Sequence, residues 1–191
     1  MPIINPFDSI RSTETPTSSF RWYQDMIRKM GMTTITPQKA LGSDIGVFVT
    51  TVQIGDMYLF VYKPKMEETL PYYDVVPLVV PFRKVTGGFY GLNFHYLPPM
   101  LRMRLYERMF NLISDDTMTE TTRFQLTWKL LDNASRFPGA HACVKHYLYS
   151  QVKSRMMKIN PADWRKSIML PLDNFKKKTR NTVWDESRSK I

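Results

Sequence analysis

Apolar positions change their spacing twice along this chain, and each change marks a new kind of element. Over residues 1–18, Pro2, Pro6 and Pro16 stand among Ser, Thr and Asn with no regular apolar pattern, which predicts an extended N-terminal arm. Phe20, Tyr23, Ile27 and Met30 then fall on one face of a helix that Ser18 or Ser19 can cap and Gly31 can end. A loop follows over 32–46, punctuated by Pro37 and Gly42. The middle of the chain is rich in β-branched and aromatic residues. Runs 47–54 and 57–62 flank Gly55-Asp56, and runs 75–82 and 89–95 flank Thr86-Gly87-Gly88, which predicts two hairpins. Pro77 and Pro81 are four apart, so both would lack an N–H on the same side of an extended strand. That predicts an edge strand with this side unpaired.

Helical spacing returns after Pro98-Pro99. Leu101, Leu105, Met109 and Leu112 repeat on one face, with Arg102, Arg104 and Arg108 directed elsewhere. A second helix is expected near 120–134 with Phe124, Trp128 and Leu131, and a third over about 143–152. Asn160-Pro161 opens a short helix bearing Trp164 and Ile168, which Pro171 interrupts. The expected fold is therefore α+β: a small antiparallel sheet or partial barrel of about four strands over residues 47–95, followed by a helical C-terminal half. The division is an arm at 1–18, a single domain at 19–171 and a basic C-terminal arm at 172–191. The last segment has few apolar anchors beyond Val183, Trp184 and Ile191.

Composition narrows the class. A chain of 191 residues with 43% hydrophobic and 23% charged residues can build one ordinary core, so wholesale disorder is excluded. No apolar run approaches the ~20 residues of a membrane span, and no membrane partner is expected. The first residues lack the pattern of a secretory signal, and the single cysteine, Cys143, makes no internal disulfide, so folding in a reducing cytoplasm is expected. The 13 methionines are read mainly as adaptable core filler.

Charge is the uneven feature. Residues 145–191 hold 12 Lys/Arg against 4 Asp/Glu, whereas residues 1–144 hold 15 against 13. Such a local excess attracts nucleic acid, an anionic membrane or an acidic protein face. The candidate partner- or DNA-binding residues are Lys145, Lys153, Arg155, Lys158, Arg165, Lys166, Lys176, Lys177, Lys178, Arg180, Trp184, Arg188 and Lys190. Basic residues also alternate with aromatics, as Arg21 with Trp22 and Tyr23, Lys145 with Tyr147 and Tyr149, and Arg180 with Trp184. That mixture supplies phosphate contacts and stacking faces, although amphipathic elements with aromatic cores give the same alternation.

Catalytic chemistry is not expected. His141, Cys143 and His146 are too few for a closed zinc site, and the Cys–His pair has no orienting partner. Gly87-Gly88-Phe-Tyr-Gly91 lacks the Lys-Ser/Thr of a phosphate loop and reads as a turn followed by a bulge or close-approach glycine. Glu67-Glu68 and Asp115-Asp116 are not near a nuclease-like lysine, and Asp74 is best read as ordering its own loop. No catalytic residue, metal, cofactor or small-molecule substrate is predicted.

Several blocks carry a resemblance. Leu70-Pro-Tyr-Tyr-Asp-Val-Val-Pro-Leu-Val-Val-Pro-Phe82 and Gly87-Gly-Phe-Tyr-Gly-Leu-Asn-Phe-His-Tyr-Leu-Pro-Pro-Met-Leu-Arg102 resemble virion proteins of T-even-like contractile-tailed bacteriophages. Lys145-His-Tyr-Leu-Tyr-Ser150, Asp163-Trp-Arg-Lys-Ser-Ile-Met-Leu-Pro171 and Val183-Trp-Asp-Glu-Ser-Arg188 fit the same pattern. The family is often named for DNA end protection. The resemblance implies a virion location and two readings. The first is a structural part of the tail, baseplate or neck, docked on other virion proteins through its core and arms. The second is a head-completion protein bound to the ends of packaged DNA.

Overall fold

A computed structural model describes residues 45–113 and 140–189, with the side chains of 107–113 outside the description. The expectations for the 1–18 arm, the helix after Ser18, the helix near 120–134 and Lys190 fall outside these residues. The described strands are β1 (Gly46–Val49), β2 (Tyr58–Leu59), β3 (Tyr73–Asp74), β4 (Leu78–Val85), β5 (Gly88–Asn93), β6 (Val144–Leu148), β7 (Met156–Ile159) and β8 (Phe175–Lys176). The helices are α1 (Pro99–Ile113), α2 (Ala140–Cys143), α3 (Trp164–Met169) and α4 (Arg180–Arg188). Six strands form one antiparallel sheet in the order β1-β7-β2-β4-β5-β6, and β3 pairs with β8. No helix of the described residues is long and apolar enough to cross a membrane.

The α+β class stands, but its layout differs from the expectation. Strands β1 and β2 do not pair with each other; β7 lies between them, pairing Phe48 with Met157 on one side and Tyr58 with Lys158 on the other. The 143–152 stretch is strand β6 and a 3-10 turn at Tyr149–Gln151, not a helix. Its register on β5, Phe89 opposite Tyr147, explains why: cross-strand packing outweighs local helical spacing. The β4–β5 hairpin forms where the sequence places it, but β4 is interior. Pro81 is tolerated because β2 covers only Leu78 and Val79, and the β4–β5 register shifts between Pro81 and Arg83. Gly87 (φ 76°) makes the turn, and at Gly88 a Cβ would lie 2.1 Å from the Tyr147 carbonyl oxygen.

The sheet is covered on both faces. Met57, Leu59, Leu78, Val80, Leu92, Met157 and Ile159 pack toward the helices, against Met103, Leu105, Trp164, Ile168 and Val183. Tyr58, Phe60, Tyr62, Val79, Phe89 and Tyr147 form a second, aromatic cluster, with Tyr147 4.9 Å from Tyr62 and 5.4 Å from Phe60 between ring centres. The chain leaving β6 folds back along β2 beside this cluster. Lys153 N–H donates to the Val61 carbonyl at 2.8 Å and Lys63 N–H to that of Gln151 at 3.1 Å. Double-sided burial accounts for apolar runs such as Leu78–Val80, which show no alternation.

Two corrections concern single segments. Arg102, expected to point away from the apolar face of α1 with Arg104, is fully buried, while Arg104 is exposed. The segment set apart as a basic arm is packed on its own domain: Leu172 and Val183 are buried, β8 pairs with β3, and Thr179 caps α4 by accepting from Thr182 N–H at 3.3 Å.

Candidate nucleic-acid interface

A buried polar network ties β3 and the chain after β5 to the C-terminal segment. Asp74, on β3, pairs its Oδ2 with His95 Nδ1 at 2.7 Å and accepts from Asn93 Nδ2 at 3.0 Å. Its Oδ1 accepts from the backbone N–H of Val76 (3.1 Å) and Asn174 (3.3 Å), so the acid orders its own turn and ties it to the C-terminal segment. Arg102 donates to the carbonyls of Leu97, His95 and Ile168 and to Asp173 Oδ1 at 3.0 Å. Burial lowers the Arg102 pKa, opposed by Asp173. Burial alone would raise Asp173, yet Arg102, His95 and Arg180 outweigh it and hold the carboxyl below its usual range. Arg180 Nε approaches Asp173 Oδ2 at 3.1 Å as an ion pair without hydrogen-bond geometry. Trp184 Nε1–H donates to the His95 carbonyl at 2.9 Å. The His95 and Asp74 side chains are 0% and 1% exposed, so this network offers no face to a substrate. Its work is to hold the C-terminal segment.

The possible metal ligands are separated. Cys143 ends α2, buried, its thiol pushed up to about 12 by burial. His146 sits on β6 and stacks on Tyr90 at 4.7 Å, and His141 is exposed. Helix gives way to strand between Cys143 and His146, so the two do not share a helix face. No group of three or more candidate ligands occurs among the described residues.

The basic candidates sit on several elements, and many are engaged with the chain's own groups. On the C-terminal segment, Lys177, itself at φ 71°, donates to the carbonyls of Glu67, Glu68 and Leu70 at 2.6, 3.0 and 2.9 Å. Lys178 pairs with Glu186 and lies over the Tyr72 ring, and Arg188 pairs with Asp185 at 2.5 Å. Lys176 and Arg180 are exposed there, while Trp184 faces inward. On α3, Lys166 pairs with Asp163 at 3.0 Å and Arg165 lies over the Tyr106 ring. Lys145 lies over Tyr96 at 4.0 Å, and Lys158 pairs with Asp56 at 2.7 Å. Much of the excess charge is thus engaged inside the fold.

Lys153 and Arg155 are different. Both are exposed, and neither is ion-paired to a carboxylate of the described residues; Lys153 Nζ donates to the Ser150 carbonyl at 3.3 Å. The Arg155 guanidinium lies 4.3 Å from the centre of the Phe48 ring, on β1, which is 41% exposed. Beside them opens a groove of ≈ 520 Å³ between the end of β1 and the 149–156 segment. Its walls are apolar, from Val49, Val52, Val152 and Met156; Thr50 and Thr51 bring hydroxyls, and Tyr149, 42% exposed, brings a ring. Strand alternation would put Tyr149 on the buried face with Tyr147. It keeps to that side, with its ring centre 5.7 Å from that of Phe89, but the 3-10 turn that begins there leaves it at the margin of the cluster and exposed. Phe48 has no counterpart among the sequence candidates, since nothing in Val47-Phe48-Val49 distinguishes an exposed aromatic from a core one.

The model of the phage T4 terminal DNA protecting protein family matches residues 12–187. The match covers β1 to α4 with nearly all of the described chain, and it favours the DNA-end reading over the tail and baseplate one. No curated protein and no solved structure matches.

Proposed function

The chain belongs to the phage T4 terminal DNA protecting protein family, and we propose that it binds the ends of linear duplex DNA in a phage particle and shields them. The family match over residues 12–187 carries this reading. The surface supports it: exposed cations without carboxylate partners among the described residues (Lys153 and Arg155) can neutralise phosphates. Exposed rings at Phe48 and Tyr149 supply stacking faces beside them. Shielding here is steric. A protein seated on a terminus excludes enzymes that must thread or grip that terminus, and no bond is made or broken.

The full-length protein should slow digestion of blunt linear duplex by exonucleases of either polarity, while leaving endonuclease cleavage of the same fragment unchanged. Digestion at the same rate with and without protein would contradict the reading.

A further inference from the structure

We infer that the groove beside Tyr149 takes the unstacked terminal nucleotide of a DNA strand, so that ends are told from internal duplex by a recess only an end can fill. The inference rests on the DNA-end reading above and goes further, naming the occupant. The groove measures ≈ 520 Å³, within the ~300–1,000 Å³ usual for small-ligand sites. Its chemistry is that of a nucleotide. Tyr149 offers a ring on which a base can stack, the valines and Met156 offer apolar walls, and Thr50 and Thr51 offer hydroxyls to a base edge or sugar. Ser154, at the same wall, is already engaged: it accepts from Val61 N–H at 2.9 Å and donates to the Arg155 carbonyl at 2.8 Å.

Arg155 completes the site. Its guanidinium carbon lies 4.3 Å from the centre of the Phe48 ring, and its N–H groups can grip a phosphate in bidentate fashion. Lys153, two residues away, is exposed and mobile enough in its long stem to reach the next phosphate. An internal base pair cannot use this arrangement. Both faces of its bases are stacked and their pairing edges are taken, whereas a terminal nucleotide has one free face and the lowest cost of leaving the stack.

The test places a fluorescent adenine analogue either at the terminal nucleotide or one helical turn inside a blunt duplex, and titrates each with the full-length protein. The emission of the terminal analogue should change on binding while that of the internal analogue stays constant. Tyr149→Ala should abolish the change and weaken end binding by about tenfold, and Tyr149→Phe, which keeps the ring, should preserve both. Arg155→Met should reduce the salt slope of binding by about 1. If the wild-type protein binds ends with the terminal analogue silent, or Tyr149→Ala behaves as wild type, the groove is not the seat of the end and the inference falls while end binding stands. If the wild-type protein binds open ends no better than a duplex whose ends are closed by hairpins, the DNA-end reading itself falls, and the inference with it.

Discussion

Arg102 shows what spacing along a helix leaves out. It sits next to the apolar positions of α1 and carries a charge, so periodicity assigns it to solvent with Arg104; in the fold it is fully buried. What makes burial tolerable is a set of acceptors from three other places in the chain: the carbonyls of His95 and Leu97, that of Ile168, and the Asp173 carboxylate 71 residues away. None of these partners is visible from the local sequence. Replacing Arg102 with Met removes the main counter-charge of a buried acid and strands three carbonyls. The expected loss is about 3–5 kcal/mol in urea unfolding, a large share of a domain's stability. A loss under about 1 kcal/mol would contradict the placement. Asp173 makes a second prediction. Its folded pKa lies below the unfolded one, so its contribution is fully present above the ordinary carboxylate value of about 3.9 and is lost as pH falls through the lowered folded value. The urea midpoint should drop in that acid window, and Asp173→Asn, though less stable at neutral pH, should show a flatter acid limb. Glycines were easier to read: the turn at Gly87 and the close approach at Gly91, where a Cβ would lie 2.3 Å from a Val79 methyl, involve only the two strands of one hairpin.

Elements were legible where their partners are neighbours. The β4–β5 hairpin follows from its own turn residues, and α1 and α3 follow from Pro99, Pro161 and the spacing of Leu105 and Ile168. Elements with distant partners were not. Strand β7, Met-Met-Lys-Ile, carries no strong strand signal, yet it separates β1 from β2 and so overrides the hairpin that Gly55-Asp56 suggests. The 172–188 segment misleads for the same reason. Its charges are local, whereas its anchors (Leu172, Val183 and the Trp184 bond to His95) close on residues far upstream. Removing residues 172–191 should therefore damage the domain and not merely detach an arm. Loss of the β3–β8 pair and exposure of Arg102 and the helical side of the core predict a broadened, early thermal transition by circular dichroism. An unfolding curve indistinguishable from that of the full chain would contradict this.

At the scale of the whole molecule, the basic C-terminal quarter was the feature most visible in the sequence and the one most changed by the fold. Lys158, Lys166, Lys177, Lys178 and Arg188 are engaged with acids or carbonyls of the same chain. Lys153 and Arg155 remain exposed, and Arg155 lines a groove together with the exposed Tyr149. Composition could indicate an anionic partner, but not which cations remain available to it, because that depends on carboxylates brought close only by folding. The resemblance carried by blocks such as Gly87–Arg102 indicated the family, and the match over residues 12–187 places the chain in it. The central claim is that DNA ends are what this protein holds. The most direct measurement is a competition titration, in which full-length protein bound to a labelled linear duplex is displaced by the same sequence either linear or as a closed circle, over rising salt. The account predicts that linear competitor wins in proportion to its ends, with affinity falling steeply as salt rises. Equal displacement by the closed circle at every salt concentration would contradict it.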